Sequence, residues 1–242
     1  MNDSNPILYT IQPGDTLYNL AIQYHTSVQE LIHTNLALDP YNLRVGQQIY
    51  IYPDASNSST DYWISIYQVN LLKDMNLVWE QHIMWTRMLL ISIAENLKDL
   101  EATQSRLLQN PEDIANIFRI YYGNATANIL QKLLTEHLVI GKNLIVALKD
   151  GNQTLAKELE DNWYKNADDM ADVFSRINPF YPKDQITHML YDHLRLTTQE
   201  VMSRLKNDYN ADIKAYDMVQ KEILHMSQFF VDGIVRQFPN LF

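Results

Sequence analysis

The rhythm of apolar and polar positions changes near residue 53. Before it the periods are short. Leu8-Tyr9-Thr10-Ile11 alternates as a strand does. Pro13-Gly14-Asp15-Thr16 has turn composition, and Asp15 or Thr16 is placed to accept the first free N–H groups of a helix. Leu17, Leu20, Ala21 and Tyr24 then recur at helical spacing, and a second short helix is predicted from Val28 to about Thr34. A turn at Asp39-Pro40-Tyr41-Asn42 and a strand over Gln48-Ile49-Tyr50-Ile51-Tyr52 complete a βααβ order across residues 8–52, behind a tail of residues 1–7.

Beyond a small polar stretch, 53–64, which has linker composition, the periods lengthen and glycine nearly disappears. Four long helices are predicted in residues 65–242. The first spans 65–108 with Met75, Trp79, His82, Thr86, Leu89 and Ile93 on one face. The second spans 111–149, opened by Asn110-Pro111 and bent near Tyr122-Gly123-Asn124. The third, 153–177, carries Leu155, Leu159, Trp163, Asn166, Met170 and Val173 on one face. The fourth, 183–236, carries Ile186, Leu190, His193, Thr197, Val201 and Leu205. Short turns between long helices predict an all-α, up-down-up-down four-helix bundle following the small α+β module.

Composition narrows the function classes. The 242 residues include no cysteine, which excludes a disulfide framework and thiolate metal ligands. A net charge of -10 with no basic stripe argues against a nucleic-acid partner. The longest apolar run, Met88 to Ala94, is far too short to span a bilayer, so no membrane partner is expected. The opening MNDSNPILYT has no basic n-region and no apolar h-region, which predicts cytoplasmic synthesis without a secretory leader.

YTIQPGDTLYNLAIQY, a second helix, and then NLALDPYNLRVGQQIYI resemble the LysM family from end to end, over about a fifth of the chain. Departures are small: Tyr18, His25, Leu36 and Val45 stand where Trp, Gly, Pro and Pro are commoner. The resemblance implies binding of an N-acetylglucosamine glycan such as peptidoglycan or chitin. The glycan would lie in a shallow groove between two loops, Gly14, Asp15, Thr16 and Leu17 on one side and Leu36, Ala37, Leu38, Asp39 and Pro40 on the other. An acetamido group needs backbone N–H and C=O partners and an apolar seat for its methyl. Gly and Pro expose backbone, and Leu17 and Leu38 are candidate seats; equally, Gly14-Asp15-Thr16 is a turn and cap, and Leu17 a core residue. A LysM module without a leader suits a protein of the spore coat, spore cortex or cell wall. In the second half WEQHIMWTR, LLTEHLVIG, WYKNADDMA, INPFYP, LYDHLRLT and GIVRQFP resemble helical-bundle domains of spore-forming bacteria, a likeness that carries no activity with it.

Three of the seven histidines, His82, His137 and His193, fall on core stripes of three predicted helices. Reflecting positions through the turns brings them to one height, level with Trp163, Asn166 or Asp169 of the third helix. Imidazole with carboxylate suits Zn, Mn or Fe, and a bundle core is a known place to build such a site. One reading is therefore a divalent metal held by His82, His137 and His193, with Glu136 or Asp169 as an oxygen ligand. A second is a polar core layer satisfied by Thr86, Thr135 or Thr197. A third is an organic ligand. A chain reversal at Gly123 would turn His137 toward Glu95 or Asn96 instead. No Ser-His-Asp constellation, P-loop or Rossmann fingerprint is present, and no motif decides whether the chain is an enzyme. A protein partner, or self-association through the bundle to multiply weak glycan binding, completes the expectations.

Overall fold

The computed structural model describes residues 6–26, 28–35, 38, 43–53 and 65–242. The chain divides into two compact units, 1–63 and 64–242. In the first, β1 (Ile7–Thr10) and β2 (Gln48–Ile51) pair antiparallel with Tyr9 opposite Ile49, and α1 (Leu17–Gln23) and α2 (Val28–Thr34) lie between them in sequence. The alternation of β2 turns Ile49 and Ile51 inward, where they share a core with Ile11, Leu20 and Leu31. Two strands of four residues hold a register weakly by themselves. Asn35 supplies the missing edge. Its Oδ1 accepts from the Tyr50 N–H and its Nδ2 donates to the Tyr50 carbonyl, both at 2.8 Å, so the side chain acts as a neighbouring strand. The predicted turn at 39–42 and most of the linker, 54–64, lie outside the described residues.

The second unit contains α3 (Ile66–Glu95), α4 (Leu100–Leu107), α5 (Asn110–Lys149), α6 (Gln153–Ile177), α7 (Lys183–Leu205) and α8 (Tyr209–Gln237), followed by a 3-10 turn at Pro239–Leu241. Packing runs from α3 to α5, α6, α7, α8 and back to α3, so the helices close a ring. None of the helices searched among the described residues is long and apolar enough to cross a membrane.

The helical bundle is as expected, but its helix count and path are not. The span expected as one helix over 183–236 is two. Asn207 takes a left-handed conformation (φ 59), and Asp208 accepts the Ala211 N–H at 3.0 Å to cap the start of α8. Glu200 and Asp212 consequently meet the same Arg87 guanidinium, whereas a straight helix would hold them about 18 Å apart. The first predicted helix stops at Asn96 (φ 54), and α4 returns the chain to the middle of α3. The bend expected inside α5 is a full reversal at Gly123 (φ 75, ψ 176). Asn110 is hydrogen-bonded to His82, and the His137 ring lies 5.9 Å from the same imidazole. A straight helix would separate those two residues by about 40 Å. The reversal therefore does not carry His137 away to Glu95 or Asn96: the descent from Asn110 to Tyr122 and the climb back to His137 have nearly equal length.

Two apolar clusters fill the ring. On one side Trp79, Phe118, Phe174, Tyr181 and Phe230 interlock, with Phe174 and Phe230 ring centroids 4.5 Å apart. Gly233 is obligatory there, because a Cβ would stand 1.9 Å from Cε1 of Tyr181. On the other side Leu89, Leu90, Ile93, Leu107, Ile145 and Val201 form an aliphatic cluster. An ion network joins α3, α7 and α8. Arg87 pairs with Glu200 and with both oxygens of Asp212, and Arg204 pairs with Asp212 at 3.3 Å and with Glu95 at 3.1 Å.

Candidate functional site

In the first unit Gly14 adopts φ 87, the left-handed region that glycine reaches most easily, and opens the loop before α1. Thr16 caps that helix: its Oγ1 accepts the Asn19 N–H at 3.0 Å. Asp15 serves the loop itself, its Oδ2 accepting the Gln12 N–H at 2.7 Å and the Tyr9 hydroxyl at 2.8 Å. Leu17 and Leu38 are both buried in the core of the unit, which leaves the Gly14–Thr16 backbone as the larger surface this loop offers. Leu36, Ala37, Asp39 and Pro40 lie outside the described residues.

In the helical unit α3, α5 and α7 each deliver one histidine to the boundary between the aromatic and aliphatic clusters. His82, His137 and His193 are buried, and one ligand atom of each lies within 4.8 Å of the others. Their ring centroids are 5.7–6.2 Å apart. Trp163 of α6 stands 5.2 Å from the His137 ring and completes the layer.

The outer nitrogens have partners that fix each ring's tautomer. Asn110 Nδ2 donates to the Val78 carbonyl at 2.7 Å, so its Oδ1 is the atom 3.0 Å from His82 Nδ1. Asn166 Nδ2 donates to the Leu133 carbonyl at 3.1 Å, so its Oδ1 is the atom 3.3 Å from His137 Nδ1. Glu222 Oε2 lies 3.0 Å from His193 Nδ1. Each outer partner is an acceptor, so in the neutral tautomer of each ring Nδ1 carries the proton and Nε2 the lone pair. Burial, followed by the charge of a neighbouring imidazole, pushes His82 down to about 3; the same causes hold His137 well below the usual histidine range.

The rings line a cavity of about 30 Å³ together with Thr86, Gly141, Trp163 and Thr197. That is room for a water molecule. Gly141 admits the Trp163 indole, whose Cζ2 would stand 3.1 Å from an added Cβ. Two polar atoms of the lining, Thr197 Oγ1 and Trp163 Nε1, are buried without a hydrogen-bond partner, and Glu222 Oε1 beside His193 shares that state.

The expected oxygen ligands are elsewhere. Glu136 is exposed and pairs with Lys132 at 3.7 Å; Asp169 is exposed, and both line an outer groove with Asn162 and Lys165. Adjacent helical residues point about 100° apart, so Glu136 cannot face inward beside an inward-facing His137. Nor do the expected threonines satisfy the rings. Thr86 and Thr135 hydroxyls bond back to the His82 and Gln131 carbonyls at 2.7 and 2.8 Å. The partners are Asn110, Asn166 and Glu222.

With this geometry in hand, comparison with known families identifies one segment: residues 9–51 match the family model of the LysM domain. The match lies inside the expected 8–52, and the LysM domain is in general a module that binds peptidoglycan- and chitin-type glycans. No curated protein and no solved structure matches the chain.

Proposed function

We propose that this protein is a wall- or spore-associated glycan-binding protein whose LysM domain holds the helical unit on an N-acetylglucosamine polymer. The observation that carries the reading is the LysM match over residues 9–51, which takes in the second half of β1, all of β2 and the loop held by Asp15 and Thr16. A loop fixed by its own hydrogen bonds presents backbone donors and acceptors without an ordering cost on binding. A single module binds weakly, and a repetitive polymer compensates by offering many equivalent sites. The test is co-sedimentation of the full chain with insoluble peptidoglycan and with chitin. Pelleting that soluble N-acetylglucosamine oligomers reverse, and glucose oligomers of equal length do not, is the expected result. Absence of pelleting, or pelleting that neither sugar reverses, would overturn the proposal.

A further inference from the structure

We propose that His82, His137 and His193 form a mononuclear site for a divalent first-row transition ion, best suited to zinc, with a fourth position that opens into the cavity beside Thr197 and Trp163. Three observations converge on it. First, the three buried ligand atoms gather within 4.8 Å of one another from three separate helices. Zinc–nitrogen bonds of about 2.0–2.1 Å would require each ring to move inward by less than about 1 Å.

Second, each outer nitrogen already donates to an oxygen that orients the ring. Asn110, Asn166 and Glu222 occupy the positions that second-shell acceptors take around metal-bound histidines, and the Glu222 carboxylate adds negative charge behind one ligand. Third, among the described residues the three rings form side-chain hydrogen bonds through Nδ1, and none is formed by the inner nitrogens. A lone water has two protons for three acceptors, whereas a cation meets all three together. A set of three imidazoles with no carboxylate in the first sphere selects zinc and its neighbours over magnesium or calcium.

The unpartnered Thr197 Oγ1 and Trp163 Nε1 then acquire a use. They line the space where a water or small anion would complete the coordination sphere, and the indole N–H and threonine O–H are donors to such a ligand.

Full-length protein, stripped with chelator and dialysed into metal-free buffer, is titrated with Co²⁺ alone and then with Zn²⁺. The expected outcome is about one Co²⁺ per chain with visible ligand-field bands, displaced by Zn²⁺. His137→Gln lowers the affinity at least about 100-fold. His188→Gln, on the exposed face of α7, leaves it unchanged. Should His137→Gln fail to fold, long-range ¹H–¹⁵N spectra of the wild-type histidines decide: Zn²⁺ shifts three Nε2 resonances while their Nδ1 atoms stay protonated. Absence of ligand-field bands together with unmoved Nε2 resonances overturns the site. So does binding that survives His137→Gln and disappears in His188→Gln.

Discussion

Two buried polar assemblies sit a short distance apart along α3, one around Arg87 and one around His82, and they are built on opposite plans. The Arg87 assembly is closed. Asp212, which is fully buried, is met at both oxygens, Glu200 meets Arg87, and the Arg87 guanidinium also stacks on Tyr216 at 4.7 Å. Arg204 joins through its terminal nitrogens, with its Nε alone unpartnered. In the histidine assembly the three Nδ1 atoms on the outside have acceptors, with Glu222 Oε1 left over, while a hydroxyl and an indole N–H of the inner lining have no partner. Polar groups buried to hold a fold together normally satisfy one another. The unanswered hydroxyl and indole N–H on the inner side are what the fourth ligand of the proposed ion would meet.

The sharpest way to break the comparison is to unbalance the closed assembly. Arg87→Met removes the cation and leaves Asp212 and Glu200 together in the interior, with Arg204 as the remaining partner of Asp212. Loss of one side of a buried ion pair costs about 3–5 kcal/mol, and urea denaturation should show a loss of that order. A loss below about 1 kcal/mol would mean that the network opens to water, and the contrast with the histidine layer would lose its basis.

The open assembly should instead reveal itself through pH. His82 sits at about 3 in the folded protein against 6.5 for an ordinary histidine, because burial disfavours the imidazolium. Its folded pKa is depressed, so the unfolded chain binds more protons below 6.5. The stability this neutral ring confers is therefore full above 6.5 and lost as pH falls toward 3. Between pH 8 and pH 5 the metal-free protein should lose about 2 kcal/mol through His82, and His137 adds a loss in the same direction. Glu200 acts with the opposite sign. Burial lifts it to about 7 against the pull of Arg87, so its contribution is lost as pH rises from 4.5 through 7. Comparison with His82→Gln separates the two, since that variant should reduce the acid-side loss and leave the part due to His137. An identical pH profile for wild type and variant would sink the claim that His82 is buried as a neutral ring.

How far the sequence disclosed these assemblies depends on where the chain turns. The βααβ order was legible because the motif is dense and because Pro13-Gly14, Asn35 and Pro53 follow β1, α2 and β2; α1 instead ends at Gln23 ahead of a left-handed His25 (φ 50). The three histidines were legible because each lies on an apolar stripe of spacing three or four. Their partners were harder. Glu222 escaped because 183–232 carries apolar residues at helical spacing without Gly or Pro to break it. The signal was Asn207-Asp208, a left-handed helix end followed by an N-cap. Reflecting His193 through that pair leads to Glu222. Asn110 was legible only as a cap, yet its side chain turns inward to His82 and Val78. Glu136 was chosen for nearness in sequence to His137, the relation that places it on another face of the helix.

The finest test of the contrast removes a single unpartnered atom. Thr197→Val keeps the shape of the side chain and deletes the hydroxyl that lines the cavity without a hydrogen bond. Val and Thr have similar helix propensities, so the backbone of α7 registers little change. Where a buried threonine hydroxyl is bonded, this substitution removes a hydrogen bond worth about 1 kcal/mol; here the metal-free protein should be unchanged or gain up to about 1 kcal/mol. The Co²⁺-loaded protein should respond differently. Removing a donor beside the fourth coordination position should shift the ligand-field bands without abolishing them, because the three imidazoles remain. A stability loss of about 1 kcal/mol in the metal-free variant would show that Thr197 has a partner in solution and that the layer is closed after all. It would then belong with the Arg87 assembly as an element of the fold.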